Sequence, residues 1–319
     1  MRETAQSVVA FGGGHGLHAS LSALRMLVDD LTVDQLTAVV TVADNGGSSG
    51  RLRNEFGVLP PGDLRMALAA LCDSDGETWA KVLQHRFAGD GEMRGHVVGN
   101  LLIAGLWEIV GDHVASLDLV GRLLGAKGRV LPMALCPMDI TAQVRGLDPA
   151  HPDALTSVQG QVQIATTGGV IDSISLIPSD PPAAPEAIEA IATADWVVLG
   201  PGSWFTSVIP HLMVPALREA LLGTPAHVVV TLNLAEQPGE TGGFGPADHL
   251  AVLLEHAPAL HIDTVLADEV AVGAQLPDLE ALAAAAGAKL LVSDLAVGDG
   301  SPRHDPAKLA SAYTQIFGG

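Results

Sequence analysis

Four times in this chain a short apolar run stops at a glycine-rich loop, and that repetition constrains the fold more than any other feature. GGGHGLHAS follows SVVAF (7–11), DNGGSSGR follows LTAVVTVA (36–43), GPGSWFTS follows ADWVVL (194–199), and QPGETGGFGP follows AHVVVTLNL (226–234). LTAVVTVA is continuously apolar and rich in β-branched residues, as strands buried on both faces of a parallel sheet are. Between the first two runs, LHASLSALRMLV (17–28) repeats apolar residues at three- and four-residue spacing, the period of a helix. The same rhythm continues through DTVLA (263–267), LEALAAAAG and KLLVS (289–293). Alternation of this kind predicts a doubly wound α/β domain with a parallel sheet. Ligands of such sheets bind outside the carboxyl ends of the strands, so four glycine-rich loops at one edge mark a candidate site.

The middle of the chain interrupts the rhythm. From Pro60 to about Leu124 the pattern is helical, through LRMALAALC, TWAKVLQHRF, VVGNLLIAGLWEIV and SLDLVGRLL. Residues 129–177 then change character: RVLPMAL, ITAQVR, VQIATT and IDSISLIP are short alternating runs broken by Pro, Gly and Asp, which predicts an antiparallel β insertion closed by PSDPPAAP. At 319 residues one elaborated domain is expected. It reads as a first half with a helical cap (7–128), the β insertion (129–180) and a second half (181–319).

Composition removes several function classes. With 48% apolar and 16% charged residues the chain is not disordered, and no apolar run of about 18 residues is unbroken, so no membrane span is expected. The N-terminus, MRETAQSVVAFGGG, lacks the basic start and long apolar core of a leader. Cys72 and Cys136 lie in apolar surroundings without metal-ligand spacing and read as reduced core thiols, which points to the cytoplasm. A net charge of −20 argues against a nucleic-acid binder, since such proteins meet phosphates with many Lys and Arg. The acidity is uneven: residues 181–319 hold only Arg218, Lys289, Arg303 and Lys308, whereas residues 51–94 hold six bases. The field therefore favours an anion beside the earlier stretch.

Each loop has a chemical reading and a plainer one. Gly14, Gly16 and Ala19 match G-x-G-x-x-A between a strand and a helix, so Gly13, Gly14 and their N–H groups could face a diphosphate; a structural turn explains the same pattern. His15 could reach a ligand or cap the turn. Asp44 stands where an acid accepts from a ribose hydroxyl, or else shapes an Asx-turn with Asn45. Gly46 lets a backbone approach a ligand, while Ser48, Ser49 and Arg51 supply donors. Gly200 and Gly202 allow a tight backbone, Ser203 suits a helix cap, and Trp204 or Phe205 offers a flat face. Asp63 in PPGD suits a helix start, and a metal role is its minority reading. His85, Arg86, His96 and Asn100 are further candidates for lining the site. The twelve histidines form no metalloenzyme pair, there is no G-x-S-x-G, and neither cysteine has a basic neighbour, so no nucleophile is indicated and no catalytic residue is assigned.

GGGHGL, VTVADNGGSSGRLRNEF, PPGDLRMALAAL, LQHRF, GNLL, GPGSWFTSVIP and QPGET, in this order, resemble the CofD-like family, and within it the YvcK branch of gluconeogenesis factors. The resemblance runs from about residue 7 to 310. It implies a Rossmann-like, three-layer fold with a doubly wound, mostly parallel sheet. In the transferase branch it implies transfer of a phospholactyl group from a guanylyl diphosphate donor, with acidic residues and a divalent metal. In the YvcK branch it implies binding of UDP-sugars, UDP-N-acetylglucosamine above all, and support of cell shape and wall synthesis on gluconeogenic carbon. Asp44-Asn45, where the transferases carry paired aspartates, and only eleven aromatic residues side with YvcK. The resemblance then implies a regulatory nucleotide-sugar binder with Gly13, Gly14, His15, Asp44, Asn45, Gly46, Ser48, Ser49, Arg51, Asn100, Gly200, Gly202 and Ser203 around the ligand, and with Arg303 of SPRHDP reaching it. His15 replaces a threonine common in the branch. A divalent metal on Asp44 and Asp63, cell-wall or kinase regulatory partners, and self-association stay open.

Overall fold

The computed structural model describes residues 6–72 and 76–318. The initial MRETA, part of the stretch from which no leader is expected, lies outside those residues. Seven strands form one parallel sheet: β1 (Gln6–Gly12), β2 (Val33–Val40), β3 (Arg129–Pro132), β7 (Trp196–Leu199), β8 (His227–Thr231), β9 (Thr264–Asp268) and β10 (Lys289–Ser293). Their spatial order is β10-β9-β8-β7-β1-β2-β3. Counting only the strands of this sheet, that is the 3-2-1-4-5-6 order of dinucleotide-binding folds with one strand added. The chain winds outward from β1 to β3, returns, and winds outward again from β7. The order reverses between β1 and β7, which pair in parallel from Val8 opposite Trp196 to Phe11 opposite Leu199.

The central strands are apolar because both of their faces are covered. Val8 to Phe11, Val197 to Leu199 and Val228 to Val230 are all buried. On one face the helix Gly14–Asp29 packs against Gly62–Ala70 and against the last helix, Pro306–Phe317. The hydroxyl of Tyr313 ties these layers together, bonding Ser20 Oγ at 3.0 Å and Thr231 Oγ1 of β8 at 3.1 Å. On the other face lie Pro185–Thr193, Pro215–Leu222, Pro246–His256 and Leu276–Ala285. The expected helical stretch after Pro60 is present as Gly62–Ala70, Glu77–Gln84, Val98–Val110 and His113–Leu124. Among the described residues no helix is long and apolar enough to cross a membrane. Cys72 is buried, Cys136 half-buried, and both are free thiols.

The antiparallel sheet is smaller than expected and holds three strands in the order β5-β4-β6: β4 (Asp139–Arg145), β5 (Thr156–Gln159) and β6 (Val170–Ile177). RVLP does not belong to it but pairs in parallel with β2 as the edge of the large sheet. VQIATT is not a strand either. It overlaps the short helix Gln161–Ala165, because Gly160 turns the chain at φ 102° and Asn45 Oδ1 accepts from Val162 N–H.

Two boundaries move at the second strand. β2 ends at Val40 rather than Ala43, because its neighbours stop there, with Gly12 and Pro132 both opposite Val40. Asp44 therefore stands four residues past the strand instead of ending it. The glycine-serine run that follows is not loop but the start of a helix, Gly47–Phe56, closed by Gly57 in the left-handed conformation at φ 67°. Gly50 is required in that first turn, since a Cβ there would strike the Asn45 carbonyl.

The turns after β1 and β7 touch backbone to backbone. A Cβ on Gly16 would collide with the Pro201 carbonyl and lie 2.5 Å from Gly202 Cα. Gly16→Ala is therefore expected to destabilise the fold by about 1–3 kcal/mol, as overpacking does. A urea midpoint equal to that of the wild type would contradict this account of the contact.

Candidate functional site

The reversal point between β1 and β7 opens into a pocket of about 270 Å³, near the lower end of small-molecule sites, which span roughly 300–1,000 Å³. Three of the four glycine-rich regions border it. Gly13, Gly14, His15 and Gly16 come from the turn after β1, Pro201, Gly202 and Ser203 from the turn after β7, and Asn233 to Gln237 from the segment after β8. Asp63, Gln161, Ser207, Pro302 and His304 complete the lining. None of these is Lys or Arg.

The β7 turn is held by side chains from the next loop. Asn233 grips Gly202 on both sides, accepting from its N–H at 3.0 Å and donating to its carbonyl at 2.8 Å. Gln237 accepts from Trp204 N–H at 3.3 Å and donates to Ser203 Oγ at 3.3 Å. Glu240 accepts from Phe205 N–H at 3.1 Å and from the Thr206 hydroxyl at 2.6 Å. The helical start at 204 is thus capped by Gln237 and Glu240 of QPGET, while Ser203 makes no side-chain cap bond. Ser203 Oγ accepts from Gln237, and a hydroxyl that accepts can still donate its own hydrogen. Trp204 and Phe205 are buried and offer no face to the pocket.

Asp63 is one of two carboxyl groups in the lining, with Glu236. Its carboxyl accepts from Gly14 N–H at the start of the first helix, and a Cβ on Gly13 would lie 2.6 Å from Asp63 Oδ2 and 2.5 Å from Thr41 Cγ2. Asp44 is close by: its Oδ2 would be 3.0 Å from a Cβ on Gly62, the residue before Asp63. Burial first, and the Asp44 charge second, push the Asp63 carboxyl up to about 7, against the pull of the Gly14 bond and of Arg65. Arg65 is itself buried, and that burial together with Arg86 lowers it to about 10. Its Nε donates to Asn100 Oδ1 at 2.9 Å, and Asn100 donates to Ser49 Oγ at 3.4 Å.

The residues expected around the ligand divide into two groups. Gly13, Gly14, His15, Gly202 and Ser203 line the pocket, with Gly200 at the head of the same turn. Asp44, Asn45, Gly46, Ser48, Ser49, Arg51 and Asn100 lie beside it and bond to the protein. Asp44 Oδ1 accepts from Gly46 N–H at 2.8 Å, the Asx-turn geometry. Asn45 also donates to Gln163 Oε1 at 2.8 Å, fastening the insertion's short helix over the loop. Ser48 bonds His96 Nδ1 at 3.2 Å and accepts from Val97 N–H. Arg51 donates to the carbonyls of Glu92 and Arg94, Arg53 pairs with Asp139 at 2.8 Å, and Arg86 donates to the Gly95 carbonyl. His85 packs edge-on against Phe87 and, like Arg86, is exposed. Arg303 is exposed and paired with Asp299 at 2.6 Å, outside the lining.

Gln161, Asn233, Glu236, Gln237, Ser207 and His304 were not singled out in the sequence. Asn233 and Gln237 had a usable signal, since they stand just past a predicted strand at the same edge as the other loops. Gln161 had none, because its approach depends on the Asn45 bond across more than one hundred residues.

Comparison with known proteins agrees with this fold. A family model described as 2-phospho-L-lactate transferase CofD matches residues 8–295. A Mycobacterium tuberculosis protein named "Putative gluconeogenesis factor" is 51% identical over 313 residues, covering 97% of this chain and 90% of that one. A Listeria monocytogenes protein named "Gluconeogenesis factor" is 34% identical over 326 residues, covering 99% and 97%. A crystal structure of a UPF0052 family member from Bacillus halodurans superimposes with a TM-score of 0.84 at 33% identity, over 97% of this chain and 99% of that one.

The raised Asp63 carboxyl has a sign that can be checked. The folded protein keeps this proton up to about pH 7, whereas the unfolded chain releases it near 3.8, so this group's contribution to stability falls as pH rises through that window. Asp63→Asn retains an acceptor for Gly14 N–H without the titration. Its urea midpoint is expected to gain on the wild type steadily between pH 4 and pH 7; a constant difference across the window would refute the assignment.

Proposed function

The chain belongs to the CofD family, and within it we propose a nucleotide-sugar-binding regulatory protein that takes a UDP-N-acetylglucosamine-like ligand and supports cell shape and wall synthesis during gluconeogenic growth. The observation that carries this reading is the pocket at the strand-order reversal, walled by two glycine turns in backbone contact. That is where doubly wound sheets bind nucleotides. The Gly13–Gly16 turn and Gly202 bring main chain up to the ligand, and Ser203, Gln161 and His15 offer side-chain contacts. The names of the relatives support the link to gluconeogenesis. The resemblance to the YvcK branch supports the ligand class and the regulatory role, and a cytoplasmic location and cell-wall or kinase partners follow from the same reading.

One observation favours a second reading, a metal-dependent transferase acting on a nucleotide diphospho-ester. The pocket lining carries Asp63 and Glu236 but no Lys or Arg, so a diphosphate there needs a counter-charge. Asp63 beside Asp44 suits a divalent cation: two carboxylates are a usual protein share of a Mg²⁺ site, with phosphate oxygens and water completing it. Among the described residues no larger group of metal-ligating side chains exists. Such an ion would neutralise the diphosphate, and the chain's own part would be to hold the ion on the two aspartates and the ligand on the glycine turns.

Calorimetry with UDP-N-acetylglucosamine, with and without Mg²⁺, tests both readings. Saturable binding without consumption of the ligand is expected, weakened about tenfold by Ser203→Ala through loss of one hydrogen bond. No heat and no thermal shift with any UDP-sugar would overturn the proposal. Mg²⁺-dependent release of free nucleotide, lost in Asp63→Asn, would replace it with the transferase.

A further inference from the structure

Of the insertion (129–180), only Gln161 lines the pocket. It is half-buried. Among the described residues its carboxamide has no hydrogen-bond partner, and neither of its polar atoms is closed off from solvent. A primary amide in that condition holds out a donor and an acceptor side by side.

The residue is delivered by a strap. The short helix Gln161–Ala165 runs between a loop of the first half and a loop of the second, and is fastened to both. At its start Asn45 Oδ1 accepts from Val162 N–H at 3.0 Å, and Asn45 Nδ2 donates to Gln163 Oε1 at 2.8 Å. A main-chain N–H only donates, so the Asn45 amide has a single orientation that serves both bonds. Gly160, at φ 102°, meets Asn45 so closely that a Cβ there would collide with its amide nitrogen. At the other end Gly239 of QPGET, at φ 91°, lies against the Ala165 carbonyl with no room for a Cβ. Gly239 stands two residues past Gln237, itself part of the lining.

The rest of the wall narrows what Gln161 can recognise. Main-chain N–H groups of the glycine turns are the donors suited to a diphosphate, and a neutral carboxamide adds no counter-charge. A phosphate oxygen would satisfy its N–H and leave its carbonyl unused. Both halves are satisfied in register by a group that presents an N–H and a C=O on one edge.

We propose that Gln161 is a specificity-determining residue of this pocket, pairing edge to edge with a neutral amide or imide of the ligand, and that Asn45 is the positioning residue that acts through it. The inference rests on the nucleotide-sugar reading and names what the insertion reads within it. A UDP-N-acetylglucosamine-like ligand carries this chemistry twice, in the acetamido group of the sugar and in the imide of uracil.

The test is calorimetry of the full chain with UDP-N-acetylglucosamine, with UDP-glucose, which lacks the acetamido group, and with UDP-N-acetylglucosamine carrying an N3-methyl uracil. The proteins are the wild type, Gln161→Ala, Asn45→Ala and the double variant. The readout is the ratio of affinities between ligands, which a loss of folded protein does not move. The wild type is expected to prefer UDP-N-acetylglucosamine over one of the other two by about tenfold, as a pair of hydrogen bonds gives. That preference is expected to fall to about twofold or less in Gln161→Ala, and the ligand concerned identifies the group that Gln161 reads. Asn45→Ala is expected to lower the same preference, and the double variant to lie no lower than Gln161→Ala, since two residues acting through one contact are not additive. No preference in the wild type, or a preference unchanged in Gln161→Ala, would overturn the role of Gln161 while leaving the nucleotide-sugar reading intact. Full preference in Asn45→Ala would overturn the positioning role. Failure of the wild type to bind any of the three ligands would overturn both the inference and the reading beneath it.

Discussion

Everything at the carboxyl edge of the large sheet depends on two turns that meet without side chains between them. Gly16 lies against the Pro201 carbonyl and the Gly202 α-carbon, at a separation no Cβ tolerates. That contact sets the width of the opening between β1 and β7. It also explains why so many surrounding groups are committed to holding backbone: Asn233 clamps Gly202, Gln237 and Glu240 cap the segment beyond it, and Asp63 takes the first free N–H of the opposite helix. The pocket is therefore made mostly of main chain, with its side chains serving as the frame. A frame held in this way is ordered in advance, and such pre-ordering lowers the cost of binding.

The electrostatics of the pocket follow from the same economy of side chains. With no cation in the lining, the Asp63 carboxyl is desolvated beside a second aspartate and holds its proton to near neutrality. Of the bases that the sequence concentrates between residues 51 and 94, Arg65 relieves it only in part. Arg51 and Arg86 are spent on carbonyls of the segment 92–95, and Arg53 on an aspartate of the insertion. Local charge density in the sequence is thus a poor guide to the field in the pocket, because a guanidinium with five donors is as readily consumed by main chain as by a phosphate.

What was legible in the sequence was what depends on near neighbours. The strand runs, the glycine turns after β1 and β7 and the doubly wound order all follow from steric and apolar patterns a few residues long, and the structure has them. The start of the helix at Gly47 resembles a loop in sequence because glycine and serine are weak helix formers, and the packing of Gly50 on the Asn45 carbonyl accounts for its place there. The partners of Ser48, Ser49 and Arg51 lie about forty to fifty residues away, and that of Asn45 more than one hundred. No pattern along the chain encodes those distances. SPRHDP shows the limit at single-residue scale: charge draws attention to Arg303, yet the loop that Arg303 closes presents its uncharged neighbour to the pocket.

The insertion has a role that its small sheet does not advertise. The chain leaves the large sheet at Pro132 on an edge strand and re-enters at Trp196 beside β1, so the only covalent path between the two halves runs through the insertion. The halves are joined a second time, without covalency, by β1–β7 pairing and by the Gly16–Pro201 contact. These two connections are independent. A chain nicked in the exposed turn around residues 148–155, beyond β4, keeps the β1–β7 pairing and the Gly16–Pro201 contact, so the two halves stay joined through the sheet itself.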